Sequence, residues 1–309
     1  MDLKQIQYIV TIAEENNITR AAEKLYITQS ALNQQLLKLE KELGAQLFKR
    51  YKNELMPTEA GEIYLNAAKE ILLIKKDTYN KIHDITEAQQ SELTIGFTPG
   101  RGIAMFSNLY PKFHRLYPET LVNPKELSVQ KQQELLTKGE IDIGFVTLVH
   151  SQQKPNLNYI PLTSEEILVA TPQNHISVNF ETQKANNNNI PQIDLYDLRN
   201  ESFVLTYKES TLRQITDYIF ESAGFKPQVL FETSSNSTIA TMVSSNLCCG
   251  LIPTYYARNC KNEIQLFTLE GKPTWNVMAC YNSKRYLSKA AKDFISLAKE
   301  FWKQNNSEV

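Results

Sequence analysis

The sequence predicts a chain of two parts, a short all-α N-terminal part and a longer α/β C-terminal part. Up to about residue 85, apolar residues recur every three or four positions, as they do along one face of a helix. From residue 91 onward, short apolar runs alternate with helical segments, which is typical of an α/β fold. With 309 residues, 42% apolar and 22% charged, the chain is long enough for two or three packed domains.

Within the first 57 residues, two predicted helices lie unusually close together. Residues 18–25 and 29–43 both have helical periodicity and are separated by only a few positions. Thr28 can cap the second helix, and Gly44 suits the left-handed conformation that ends it. Two helices this close must cross steeply, which requires small residues at the contact. Small residues are available at Ala21, Ala22 and Ala31.

This arrangement is the helix–turn–helix pattern, which suits double-stranded DNA. The second helix of such a pair can enter the major groove, while the first crosses the backbone. Amide side chains can pair bidentately with adenine, and the exposed positions of the second helix carry hydrogen-bonding groups. The alternative is an ordinary solvated helix face. The candidate DNA contacts on this helix are Thr28, Gln29, Ser30, Asn33, Gln34 and Lys38.

The segment after Gly44 predicts a wing beside the motif. Phe48 anchors a short extended stretch, and basic residues cluster at the turn that follows. Basic side chains there can reach phosphates and add salt-dependent affinity, although a solvated turn would have the same composition. The net charge of −1 does not by itself indicate nucleic acid. The candidate DNA contacts in the wing are Arg50, Lys52 and Asn53.

A long helix is predicted from Thr58 to about Ile85. A single helix cannot bury a long apolar stripe alone, so pairing with a second copy of the chain is favoured over packing against its own chain. A homodimer would place two recognition helices on one duplex with inverted-repeat half-sites. The stripe consists of Ala60, Ile63, Ala67, Ile71, Ile74, Thr78, Ile82 and Ile85.

The C-terminal part begins with a strand at 91–100 and continues as helix, strand, helix and strand to Thr147. This order predicts a parallel sheet. Similar alternation continues to about residue 255, interrupted by a polar loop at 186–191, and a final strand and helix follow.

The order of these motifs resembles that of the LysR-type transcriptional regulators. AAEKLYITQSALNQQLLKLEKELGAQLFKR followed by PTEAG is similar to that family's N-terminal signature, and SELTIGF, FHRLYP, GEIDIGF, LVATPQNH and GLIPT follow the order of its effector-binding half. The resemblance implies a winged helix–turn–helix domain at 1–57, a linker and dimerisation helix at 58–88, and two Rossmann-like subdomains resembling periplasmic binding proteins. Subdomain I would comprise 92–161 and 268–309, and subdomain II 162–267.

The resemblance also implies partners, although the recognition helix departs from the family pattern. A homotetramer and contact with RNA polymerase are implied in addition to DNA. The family commonly has Ser where this chain has Asn33, and often a basic residue where it has Gln34. We therefore expect an operator preference particular to this member.

A small-molecule site is predicted between the two subdomains. Ligands bind at the carboxyl ends of parallel strands, and free N–H groups at the start of a helix can hold an anion. Small hydroxyl and amide groups with one arginine suggest a small polar or carboxylate effector, although each hydroxyl could instead be a helix cap. The candidate effector contacts, which match effector-holding places of the family, are Thr98, Pro99, Gly100, Arg101, Ser128, Thr147, Thr206 and Asn236.

Other functional classes have less support in the sequence. The four histidines are scattered, and neither a GxSxG nor an HExxH motif occurs, so we predict no enzyme, no metal and no cofactor. Without a signal peptide or a membrane-length apolar run, a cytoplasmic protein with no membrane partner is expected. A solute-binding protein of transport without a DNA function remains an alternative, because the C-terminal half alone would fit one.

The cysteines allow a second alternative. Cys248, Cys249, Cys260 and Cys280 have neither a paired framework nor zinc-site spacing, which predicts reduced thiols. A redox-sensing regulator would use Cys248 or Cys249. The context SSNLCCGLIP instead indicates a helix end entering a buried strand, where cysteine behaves as a small apolar residue.

Overall fold

The chain folds into two compact units, residues 1–87 and 88–309, called the N-terminal unit and the C-terminal unit. In the described residues no helix combines the length and apolar character that a membrane span requires. Most of the predicted polar loop at 186–191 lies outside the described residues. The structure, a computed structural model, describes residues 2–52, 54–86, 91–173, 190–257, 260 and 263–306.

The N-terminal unit contains the predicted helices, and the wing adds a β-hairpin to them. The hairpin is antiparallel, with Phe48 opposite Pro57. A carboxylate oxygen of Glu40 accepts from the Leu47 N–H at 2.7 Å, which ties the base of the wing to the preceding helix. The elements are α1 (Leu3–Glu15), α2 (Ile18–Lys24), α3 (Gln29–Leu43), β1 (Phe48–Tyr51), β2 (Glu54–Pro57) and α4 (Glu59–Thr86).

The ends of α3 follow the sequence prediction. Thr28 Oγ1 accepts from the Ala31 N–H at 3.2 Å, and Gly44 has a φ of 68°, the left-handed region that glycine enters at little cost. Ala21 and Ala22 are buried in the core of the N-terminal unit. Ala31, however, is exposed, so its predicted place in the contact between α2 and α3 is wrong. Leu32 is the buried residue at that end of α3, because the helix turns Ala31 away from the core.

Helix α4 buries only its first turns. Tyr64, Leu65 and Ala68 pack into the core of the N-terminal unit. Ile74 and Ile82, further along, are exposed. The 28-residue helix therefore presents much of the predicted stripe to the surface, where a partner could cover it.

The C-terminal unit is built on a mixed sheet. Its elements are β3 (Ser91–Phe97), α5 (Arg101–Leu116), β4 (Thr120–Glu126), α6 (Val129–Lys138), β5 (Ile143–Leu148), β6 (Leu157–Pro172), β7 (Ser202–Thr206), α7 (Thr211–Ser222), β8 (Gln228–Thr233), α8 (Asn236–Ser244), β9 (Gly250–Pro253), α9 (Thr254–Ala257), β10 (Ile264–Phe267), β11 (Thr274–Asn282) and α10 (Lys289–Asn306), with short 3-10 turns at His150–Gln152 and Leu195–Leu198.

Strand pairing confirms the predicted parallel arrangement for the first three strands. β3 pairs in parallel with both β4 and β5. β11, however, runs antiparallel to β5 and β6, so the sheet is mixed and has the order β10-β6-β11-β5-β3-β4. Local sequence pattern could not reveal that β11 lies between β6 and β5, because β11 comes more than a hundred residues after these strands in the chain. β7 and β8 form a separate parallel pair.

Four buried apolar clusters occur in the described part of the C-terminal unit, and the two largest are called the first and the second core. The first core includes Phe113, Phe294 and Trp302, and the second includes Phe203 and Trp275. Strand β6 serves both: it pairs with β11 as far as Glu166 and with β9 from Ile167 onward. The predicted subdomain boundary at 161/162 thus falls inside β6, five residues before the strand changes its pairing partners.

Candidate functional site

One face of α3 is exposed and polar. Leu32, Leu36 and Leu39 on the opposite face are buried in the core of the N-terminal unit, which fixes the orientation of the helix. Thr28, at the start of the helix, is also exposed, and its hydroxyl lies 3.2 Å from that of Ser30. The exposed predicted contacts are Thr28, Gln29, Ser30, Asn33, Gln34 and Lys38.

The wing presents basic side chains beside this helix within the same unit. Arg50 on β1 and Lys52 at the turn are exposed. Lys52 has a φ of 56°, so the turn is tight, and its ammonium lies 5.7 Å from the centre of the Tyr51 ring. Asn53, the third predicted wing contact, lies outside the described residues.

The basic residues of this unit differ in their partners. Lys24 pairs with Glu15 at 2.9 Å and with Glu14 at 3.1 Å, and the hydrogen bond to Glu15 is the main reason that the pKa of Lys24 is raised. Across the described ranges, no ion pair joins Lys38, Arg50 or Lys52 to an acidic residue. Their charges are therefore available to phosphates.

The C-terminal unit contains a cavity of about 270 Å³. It lies at the ends of strands β3, β5 and β7 and at the starts of helices α5 to α8, where an open α/β sheet binds ligands. Every predicted effector contact except Gly100 lines it. These residues are Thr98, Pro99, Arg101, Ser128, Thr147, Thr206 and Asn236.

Several hydroxyl groups at the cavity also cap helices. Ser128 Oγ accepts from the Lys131 N–H at 3.3 Å and caps α6. Ser210 Oγ accepts from the Arg213 N–H at 3.0 Å and donates to Thr206 Oγ1 at 2.6 Å. The capping role is thus present for Ser128, and a cap can contact a ligand as well because the hydroxyl has two acceptor lone pairs.

Gly100 and Asn236 have different parts in the cavity wall. Gly100 has a φ of 71° where the chain leaves β3 and enters α5, so it shapes the turn without lining the cavity. Asn236 begins α8, and its buried Oδ1 has no hydrogen-bond partner among the residues described. This oxygen can accept a hydrogen bond from a molecule in the cavity.

Arg101 reaches the cavity as one half of a buried ion pair. Its side chain is 4% exposed, and Nη1 donates to Glu165 Oε2. The same carboxylate oxygen accepts from Trp275 Nε1 at 2.8 Å. The charge of Arg101 is thus already balanced, so an anion in the cavity would have to share the guanidinium with Glu165.

Comparison with known proteins identifies both units. Residues 3–62 match the model described as a bacterial regulatory helix-turn-helix protein of the lysR family, and residues 86–303 match the LysR substrate binding domain. The chain belongs to the LysR family of transcriptional regulators. This LysR-type regulator therefore has a DNA-binding domain followed by an effector-binding domain, and the predicted family and fold class are confirmed.

Individual relatives resemble this regulator over almost all of its length. It is 26% identical to the uncharacterized HTH-type transcriptional regulator YcgK of Bacillus subtilis, over 100% of this chain and 97% of the relative. The structure of a full-length OxyR variant from Pseudomonas aeruginosa has a TM-score of 0.67 and 25% identity, covering 98% of this chain and 95% of OxyR. A structure of full-length CbnR complexed with target DNA has a TM-score of 0.59 at 19% identity, covering 99% of this chain and 100% of CbnR.

The four cysteines of the regulator are free thiols; Cys248, Cys249 and Cys280 are buried, and Cys260 is half-buried. Burial raises the pKa of Cys248 to about 11 and that of Cys249 to about 12. Burial also raises the pKa of Cys280. Because the thiolate is the reactive form, protonated buried thiols oxidise slowly. The structure therefore gives the redox alternative no support.

Sequence reasoning missed part of the cavity wall. Ser210 and Thr211 begin α7 and could have been found, because Ser210 has the position of an N-cap. Tyr256 and Trp275 line the cavity from distant parts of the chain. Trp275 lies at the cavity only because β11 pairs with β6, and no local sequence pattern reveals that pairing.

Proposed function

We propose that this LysR-type regulator is controlled by a small polar or carboxylate effector that binds in the cavity of the C-terminal unit. The observation that carries the proposal is the convergence on one cavity of side chains predicted from separate stretches of sequence. Hydroxyl groups of Thr98 and Ser128 and the starts of α5 and α6 would hold the polar or anionic end, and Asn236 Oδ1 would accept a hydrogen bond from a donor on the same molecule.

We also propose that the regulator binds an inverted-repeat operator as a homodimer joined through α4. The exposed apolar stripe of α4 supports pairing with a second copy, and paired units would present two copies of α3 to one duplex. A homotetramer, contact with RNA polymerase and a cytoplasmic location belong to the same proposal. We assign no catalytic step, because the relatives that match the chain are transcriptional regulators.

The effector site is tested with Thr98→Ala and Ser128→Ala in the full chain. Thermal-shift screening of the unaltered chain against a metabolite panel finds a ligand, because a ligand that binds only the folded state raises the melting temperature. Both variants should lose at least about tenfold in affinity for that ligand, since removing a buried hydrogen-bond partner costs about 1–3 kcal/mol.

The same variants should keep the DNA affinity of the unaltered chain. Thr163→Ala, on β6 and outside the cavity lining, is the matched hydroxyl control and should respond normally. If both cavity variants respond to the ligand as the unaltered chain does, the effector site is misplaced.

A further inference from the structure

One large apolar side chain lies on the polar face of α3. Leu37 is 55% exposed, whereas Leu36, its neighbour in the sequence, is 5% exposed. A single exposed leucine is common on protein surfaces and needs no explanation by itself. The position of Leu37 among hydrogen-bonding side chains on the predicted recognition helix is what makes it informative.

The helical period places Leu37 in the middle of the face that carries the candidate base contacts. Leu37 follows Ser30 by seven positions, Asn33 by four and Gln34 by three. Residues at these separations lie on the same side of an α-helix. With about 100° of rotation per residue, the direction of Leu37 around the axis falls between those of Asn33 and Ser30. The polar face of α3 therefore has an apolar centre.

The opposite face of α3 keeps Leu37 at the surface. Leu32, Leu36 and Leu39 are buried in the core of the N-terminal unit. Turning the helix to bury Leu37 would remove these side chains from a close-packed core, which is unfavourable. Leu37 therefore loses its contact with water only when another molecule covers the polar face.

The distance along the helix also suits the major groove of DNA. Leu37 comes eight residues after Gln29, which is about 12 Å along the axis at about 1.5 Å per residue. The major groove of B-DNA is about 12 Å wide. Lys38, the next residue, is exposed and suits a phosphate at the edge of the groove. The stretch from Gln29 to Leu37 therefore fits across the groove, with Leu37 still facing the bases.

Base edges in the major groove offer a leucine one apolar partner. Each base presents hydrogen-bonding groups there, and thymine also presents its C5-methyl group. A leucine that covers a donor or acceptor removes it from water without a hydrogen bond, whereas contact with the methyl group buries apolar surface on both sides. An apolar protein surface would fit this face poorly, because it would leave Asn33 and Gln34 without partners.

We propose that Leu37 is a specificity-determining residue that reads a thymine methyl group in the major groove. Each copy of α3 contacts one thymine through Leu37, in addition to the hydrogen bonds proposed for Asn33 and Gln34. The inference rests on the proposed operator binding and deepens it, because it names a base that each half-site contains. It does not depend on the effector.

Replacing single thymines by deoxyuridine tests this contact. Deoxyuridine keeps the base pairing and the O4 acceptor of thymine and lacks only the methyl group. A duplex is first selected from a random pool with the full chain, and its thymines are then replaced one at a time. At one thymine of each half-site, the replacement should lower the affinity of the unaltered chain about fourfold, the effect of one buried apolar carbon. The Leu37→Ala chain should bind the thymine and deoxyuridine duplexes equally.

Two further variants separate methyl recognition from a general loss of affinity. Leu37→Met keeps a long apolar side chain and should keep the preference for thymine over deoxyuridine. Leu43→Ala removes another exposed leucine of α3, which follows Leu36 by seven positions and Leu39 by four and so lies on the side of the buried leucines. This variant should also keep the preference.

Either of two results overturns the role of Leu37. One is that no thymine replacement changes the affinity of the unaltered chain, and the other is that the same replacement weakens the Leu37→Ala chain equally. Because Leu37 is exposed and alanine is a strong helix former, the fold should survive, and titration at low salt keeps weak binding measurable. Failure of the unaltered chain to select any sequence would overturn operator binding as well, so the two failures are distinguishable.

Discussion

Some basic side chains of this chain are paired with carboxylates, and others are not. Lys24 and Arg101 are both paired with carboxylates, one at the surface and the other buried. Arg50 and Lys52 have no acidic partner in the part of the chain that the structure describes. An unpaired exposed cation that contacts a phosphate releases counterions from DNA and so adds affinity. A cation that is already paired with a carboxylate adds less affinity. The role of each residue therefore follows from its neighbours more than from its type.

Gln29 and Arg50 should contribute differently to DNA binding. Gln29→Ala should weaken binding to an operator selected from random duplexes by about 1–3 kcal/mol, the contribution of a bidentate base contact, with little effect on nonspecific duplex. Arg50→Ala should weaken binding to both and lower the salt slope by about 1, because one phosphate contact is lost. Titrations at several salt concentrations measure both effects.

Lys24→Ala is the charge control for this comparison, since its ammonium is already paired, and it should change affinity least. Equal losses on all duplexes for Gln29→Ala would remove its role in reading bases.

At the scale of elements, helix ends and helix faces explain most of the architecture. Thr28 and Gly44 define where α3 begins and ends. Helix α4 has two apolar faces. Tyr64 and Leu65 on one face are buried in the core of the N-terminal unit, whereas Ile74 and Ile82 on the other face are exposed. Burying large aliphatic side chains contributes about 1.5–3 kcal/mol each, so a second copy that covers this face gains substantially.

Charges placed on the exposed stripe of α4 should prevent dimerisation. Ile74→Glu with Ile82→Glu should shift the full chain to monomer at micromolar concentration, because two carboxylates would be buried without partners. Analytical ultracentrifugation gives the mass. Asn66→Glu, exposed on the same helix but outside the stripe, is the control and should keep the oligomer. An unchanged mass for the double variant would show that α4 is not the dimer interface.

At the scale of the whole molecule, the chain consists of two compact units with separate tasks. The helix–turn–helix match covers residues 3–62 and the substrate-binding match covers residues 86–303. The apolar cluster of the N-terminal unit shares no residue with those of the C-terminal unit. Binding of DNA to one and of an effector to the other can be linked only if each ligand favours the same arrangement of the molecule.

Separate cores predict separate responses to DNA. Both tryptophans lie in the C-terminal unit, so their emission follows the unfolding of that unit alone. Random-sequence duplex at low salt should stabilise the N-terminal unit alone, because only the DNA-binding unit gains a ligand. The melting temperature of the circular dichroism component from that unit should rise. The midpoint of the tryptophan-emission transition should stay unchanged. A common shift of both signals would show that the two units unfold together.

The sequence by itself determined the family, the N-terminal elements and the residues of the cavity at helix starts. These depend on local chemistry: periodicity over a few turns, caps such as Thr28, and the left-handed stop at Gly44. Positions of Thr98 and Ser128 followed from the same logic, because each comes where a strand gives way to a helix.

Only the tertiary structure decided the strand order and the contacts between residues far apart in the chain. It placed β11 between β5 and β6, brought Trp275 opposite Glu165, and neutralised Arg101 with a carboxylate that follows it by 64 positions in the chain. Partners so far apart in the chain leave no periodic trace, because register and burial arise from the packing of the whole sheet. The pairing of Arg101 with Glu165 at the cavity is therefore a property of the fold, although both residues can be read in the sequence.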